Sequence, residues 1–273
     1  MNTSRQSEDL PQSELPAGEE REVRRLDRVA IDGAPIAYVL VLAAVVAALA
    51  FIPIPISVVI GSGKNFPMSQ SIYPLVGWLL GPVAGAVADG IGALVGVIVA
   101  PHTTTSAPAT VLGAVLGGFA AGAMTVKERR AWWWAPLAGV FVIFYGLYAG
   151  RAVFINGAAA RDVLLGSFIN WSALLLFVLP TRVWFARLLA ERDLKRIGIG
   201  LFGGTWIVAG LSHLATGTIV YAILNWASEY WLVFAPVAPL EHLVRCLVGA
   251  IIGTGAIAGL RATGLIKPTY AAY

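Results

Sequence analysis

Charge is scarce in this chain. Of 273 residues, 12% are charged and 58% are hydrophobic, and the mean hydropathy is +0.78. A soluble domain carries about a quarter charged residues, so the composition is that of an integral membrane protein. Cysteine is nearly absent. The one thiol, Cys246, excludes an intramolecular disulfide and, inside an apolar run, reads as a small buried hydrophobe. The three histidines, His102, His213 and His242, stand far apart without metal-ligand spacing, and no metal site is expected. There is no P-loop, no H-E-x-x-H and no G-x-S-x-G. The chain therefore reads as a non-enzyme without a cofactor, and a nucleotide-driven step would have to come from a partner chain. The amino-terminal segment lacks the apolar core and small-residue cleavage site of a signal peptide. No internal repeat supports an inverted-repeat transporter. The net charge of +4 sits in short clusters beside apolar runs, which reads as a topology signal rather than as nucleic-acid binding.

What the chain does have is apolar length. A span needs about 20 mainly apolar residues. Eight stretches qualify, near 35–60, 70–81, 83–100, 107–126, 134–155, 162–186, 198–222 and 238–262, the second of them short. Residues 1–28, rich in Glu, Arg, Ser and Pro, read as a disordered cytoplasmic tail. Residues 29–267 form the membrane domain, and 268–273 a short cytoplasmic carboxy-terminal tail. The basic clusters are Arg21, Arg24, Arg25 and Arg28; Lys127, Arg129 and Arg130; Arg182, Arg187, Arg192, Lys195 and Arg196; and Arg261 with Lys267. Eight crossings with both termini cytoplasmic place every cluster inside. Trp132–Trp134 then belong to the inner aromatic belt. The expected fold is an all-α polytopic transmembrane bundle.

That bundle is organised around Ser71–His102. There a short apolar segment meets a Gly- and Ala-rich one at Gly81-Pro82, a breaker pair. Small residues there allow close helix approach. Asp89 is expected to satisfy a helix terminus or a neighbouring helix near the inner face. Ile52-Pro53-Ile54-Pro55 is expected to kink or unwind the outer end of the first span, and Ser106 with Pro108 to start the fourth.

Polar groups collect on the other side. Arg151, Asn170, His213, Glu241, His242 and Arg245 fall in the outer halves or outer ends of their spans. Lys64 and Asn65 lie in the first outer loop, and Asn225, Trp226, Glu229, Tyr230 and Trp231 in the last. Ionisable groups at membrane depth pair or face a cavity, and aromatic neighbours can stack on a flat ligand. The candidate substrate-binding set is Lys64, Asn65, Arg151, Asn170, His213, Asn225, Trp226, Tyr230, Glu241 and Arg245. Eight of these have a structural alternative: an i,i+4 ion pair for Glu241 and Arg245, an aromatic belt for Trp226 and Tyr230, an interhelical hydrogen bond for Asn170, a bundle-interior role for His213, snorkelling for Arg151, and a solvated loop charge for Lys64. In the first span, Ala43, Ala44, Ala47 and Ala48 make two overlapping Ala-x-x-x-Ala pairs, a surface for close approach within the protein or to a partner.

This arrangement resembles the substrate-binding S component of an energy-coupling factor (ECF) transporter. The likeness lies in the Pro-ended, Ala-rich first helix, the loop GSGKNFPMSQ, the short helix leading through Gly81-Pro82 into the Asp89-bearing helix, and the final EHLVRCLVGAIIGTGAIAGL. It covers roughly residues 35–126 and, loosely, the last span. The resemblance implies a six-helix core in a prokaryotic cell membrane that captures a vitamin or vitamin precursor from outside. It also implies partners: a transmembrane T component, which would meet Ala43–Ala47 or Ala44–Ala48, and a pair of cytoplasmic ATPases that drive release. Eight spans rather than six depart from that pattern. The extra pair, within 134–222, bears on Asn170 and His213. The runner-up is a stand-alone membrane carrier or a membrane-embedded enzyme acting on a lipid-like substrate.

Overall fold

A computed structural model describes residues 29–54, 64–125, 130–263 and 265–273. The amino-terminal tail expected over 1–28, and Lys127 and Arg129, lie outside these. Ten α-helices run through the described residues: α1 Ile36–Leu49, α2 Tyr73–Leu80, α3 Pro82–Val99, α4 Ala107–Ala123, α5 Trp134–Gly150, α6 Ala160–Gly166, α7 Phe168–Val178, α8 Thr181–Leu188, α9 Leu194–Leu224 and α10 Tyr230–Thr263. A two-stranded antiparallel hairpin, β1 Ala30–Ile31 and β2 Ala34–Pro35, precedes α1. α3, α9, α10 and α5 with its π-helical extension Arg151–Ile155 are long and apolar enough to cross a membrane. The pair α6 and α7 forms a further candidate, bent by 71°. α1 and α4 are shorter apolar helices.

Several boundaries differ from expectation. α1 stops at Leu49, well short of residue 60, because the chain turns to pair with the segment before α2. Ile54 N–H donates to Phe66 O (2.8 Å) and Met68 N–H to Ile52 O (2.7 Å). The run 162–186 is three helices, with Ser167 and Leu179–Pro180 at the breaks. α10 begins at Tyr230 and continues through Pro236 and Pro239. Tyr230 and Trp231 are therefore helical residues, not loop residues.

α2, α3 and α4 meet so closely that side chains are excluded. Gly81 takes φ +91°, a conformation that disfavours L side chains, and turns α2 directly into α3. A Cβ on Gly122 would lie 2.2 Å from Pro82 N, and one on Gly77 would lie 2.2 Å from Gly118 O. The first helix joins the same way, with Gly92 facing Ala43 O and Val46. Ala43 is thus buried, and as a partner surface that position is a correction: it is used in packing on α3. Ala44 and Ala48 face outward.

α9 is the central post. Of its apolar window 72% is buried, against 22% for α5, and it touches α2, α4, α5, α7, α8 and α10.

Basic residues gather at one end of the bundle. Arg130 donates to both Asp32 oxygens (2.7 Å each) and lies between the rings of Trp133 (4.7 Å) and Tyr270 (4.3 Å). The Asp32 hydrogen bond holds the guanidinium pKa above its ordinary value. Arg182 bonds the last carbonyls of α7 and covers the Trp134 ring at 3.6 Å. Arg261 bonds Glu191 O and Leu189 O, closing α10 on the α8–α9 turn. The segment after α10 docks here too: Thr269 N–H donates to Gly33 O, and Ala272 N–H to Trp78 O. It is a packed part of the fold.

Candidate functional site

At the opposite end, a cleft of about 50 Å³, partly open to the exterior, lies between the Lys64–Gln70 segment, the α3–α4 turn and α4, α5, α9 and α10. One face of α9 supplies His213, Thr216, Gly217 and Val220 at helical spacing. Thr103, Thr105, Ser106 and Thr110 bring hydroxyls, and Phe66, Tyr148, Trp226 and Phe234 bring rings.

The rim is held by polar clasps. Lys64 Nζ donates to Pro101 O and Thr104 O, both at 2.8 Å, tying its segment to the α3–α4 turn. It is a strut rather than a solvated charge. Arg151 is tied to the rim: its Nη2 donates to Asn225 Oδ1 (2.8 Å), which also accepts from Asn156 Nδ2 (3.0 Å). Asn225 ends α9 in the left-handed region, φ +48°, turning the chain toward Trp226 and α10. Trp226 stacks on Tyr221 (4.9 Å, 18°) and edges against Tyr148 (6.2 Å) and Phe234 (5.1 Å). It is buried at the cleft wall, not part of an exposed belt.

Behind the wall lies a second layer. Asn170 and His213 join side chain to side chain, Oδ1 to Nδ1 at 3.0 Å. Glu241 and Arg245 form a fully buried ion pair on α10, and the guanidinium faces the Phe66 ring at 4.9 Å. Phe66 meets His213 edge-on at 5.8 Å. The ring therefore separates the cleft from the ion pair.

Lys64, Asn65, His213 and Trp226 thus line the cleft. Asn170 supports that wall, Glu241 and Arg245 lie beneath it, and Arg151 with Asn225 closes the rim. Tyr230 stands farther out, its ring 6.2 Å from that of Phe234. Asp89 departs most from expectation. It sits in the middle of α3, fully buried against Gly118, and neither oxygen has a hydrogen-bond partner among the described residues. Phe66, Tyr148, Phe234 and the threonines were not legible as site residues, being ordinary membrane-protein composition. The helical spacing of Thr216, Gly217 and Val220 from His213 was a signal that could have found those three α9 residues. Among the described residues no three His, Cys, Asp or Glu side chains come together as a metal site.

Comparison with protein-family models, curated proteins and solved structures finds no match.

Proposed function

We propose that this protein is a non-enzymatic substrate-binding subunit of an ECF-type importer in a prokaryotic cell membrane, capturing a small vitamin-like nutrient in the cleft. The observation that carries this reading is the placement of the cleft at the end of the bundle away from Arg130, Arg182 and Arg261. Under the positive-inside rule the basic end is cytoplasmic. The cleft then opens outward, both termini lie inside, and the chain makes about eight crossings around an S-component-like core of six. Aromatic walls with a few convergent polar groups suit a small flat ligand. A transmembrane T component with two ATPases would supply the energy for release. Ala44 and Ala48, exposed on α1, are the surface for it.

Mass spectrometry of the protein purified in mild detergent, alone and with co-expressed ECF subunits, tests this. A stoichiometric small molecule together with retained T and ATPase chains is the expected result. Ala44→Leu with Ala48→Leu then abolishes partner retention and leaves ligand content unchanged. Lipid alone, with no partner, overturns the reading in favour of a carrier or an enzyme acting on a lipid-like substrate. That second reading has one observation behind it: an open apolar groove between α9 and α10, walled by Ile199, Phe202 and Ile251, with Lys195 at its edge.

A further inference from the structure

The donors and acceptors behind the cleft wall define which edge of a ligand it accepts. Asn170 is buried, with 1% of its surface exposed, and its amide meets a cleft-lining side chain. Its oxygen faces His213 Nδ1 at 3.0 Å. A carbonyl oxygen only accepts, so Nδ1 carries the proton and Nε2 presents a bare lone pair. Nε2 has no hydrogen bond among the described residues and is not one of the fully buried unpartnered atoms, so it is open to the cleft. Tyr148 lines the cleft as well, and its phenolic O–H is a donor.

The two groups lie side by side. Gly217 is one turn beyond His213 on the same face of α9, and a Cβ there would stand 4.0 Å from the Tyr148 hydroxyl. The absence of a side chain at 217 is what lets the ring lie against the helix beside His213. Phe66 meets His213 edge-on, and Trp226 meets Tyr148 edge-on, so apolar rings flank this pair.

The geometry points to a flat ligand with a cyclic-amide edge, its N–H donating to His213 Nε2 and its adjacent C=O accepting from the Tyr148 hydroxyl. Asn170 is the positioning residue that fixes the polarity of His213, and the ring plane lies among Phe66, Trp226 and Phe234. The inference rests on the binding-subunit reading above and names the chemistry of the same cleft. It assigns no role to the buried Glu241–Arg245 pair, which Phe66 screens.

The test uses three pairs of probes on the detergent-purified full chain: xanthine and caffeine, lumazine and 1,3-dimethyllumazine, phthalimide and N-methylphthalimide. In each pair methylation removes the N–H and keeps the ring. Binding is read by quenching of tryptophan fluorescence, to which Trp226 at the cleft wall contributes. At least one parent probe binds, and its methylated counterpart binds about tenfold or more weakly, because methylation leaves a buried acceptor unpaired. In His213→Leu the two members of that pair bind alike. In Tyr148→Phe both weaken while their ratio persists, which a general loss of folding would not produce. Equal binding of parent and methylated probes by the wild-type protein, or binding of none of the three parents, overturns the edge. A stoichiometric co-purified ligand without a cyclic amide also overturns it, while leaving the binding-subunit reading intact.

Discussion

Where α4 crosses α2 and α3, a methyl group has no room; along the outer face of α5 it would touch nothing. A Cβ on Gly118 or Gly122 would meet Asp89 or the backbone of Pro82 at 2.4 Å or less. One on Gly139 or Gly146 has no atom within 4 Å. The two halves differ in their polar groups as well. Around α1–α4 the one buried carboxylate, Asp89, has no hydrogen-bond partner among the described residues. Around α5–α10 the deep polar groups come in pairs, Asn170 with His213 and Glu241 with Arg245. The difference teaches that one half is held by backbone proximity and the other by paired polar side chains between larger surfaces. Helices in lipid gain little from burying apolar area, so close approach and interhelical polar contacts are the two means left.

The comparison can be broken most forcefully in the second half. Glu241→Ala strands the Arg245 guanidinium and lowers stability by about 3–5 kcal/mol, whereas Glu241→Leu with Arg245→Met recovers most of that loss. Thermal unfolding followed by size exclusion in detergent measures both; a double variant no better than the single would show that the pair itself is required.

In the first half, Gly122→Ala drives a methyl group against the backbone of Pro82, and neither chain segment can yield cheaply. The expected loss is about 1–3 kcal/mol, seen in the same assay. An unchanged midpoint would mean that α2–α4 packing is looser than the structure shows.

The basic end should respond weakly. Asp32→Ala removes a partly exposed ion pair with Arg130, a loss of under about 1 kcal/mol that shrinks further in high salt. A larger, salt-independent loss would show that the docked segment around Tyr270 depends on this pair. Smallest of all, and opposite in sign, Gly139→Ala should gain about 0.5–1 kcal/mol from helix propensity alone. A loss there would reveal a contact on the outer face of α5.

Much of the fold was legible in composition and spacing. The Gly81-Pro82 corner, the start of α4 at Ser106–Pro108 and the unwound outer end of α1 follow from backbone chemistry local to those residues. The order of Glu241 and Arg245 announced their pairing, since residues four apart share a helix face. The break of the sixth stretch at Ser167 and the continuation of α10 through two prolines were not legible. Both depend on what neighbouring helices supply to the freed backbone groups.

The candidate site divides the same way. That polar residues would gather away from the basic clusters could be read from the chain, because helix direction alternates and the clusters mark one side. Which of them meet the cleft could not. Asn170 and His213 are 43 residues apart and bond only because α7 and α9 cross at that level. Lys64 becomes a strut only where the α3–α4 turn presents Pro101 O and Thr104 O to it.

By itself, then, the sequence determined the helical class, the small-residue hub and the separation of a basic from a polar end, since these follow from hydropathy, helix period and local turn chemistry. Tertiary structure alone decided that Ala43 faces inward and Ala44 outward, that Phe66 screens Arg245, and that Tyr148 stands beside His213. Those facts depend on how helices rotate about their axes and at what height they cross, and no single segment carries that information.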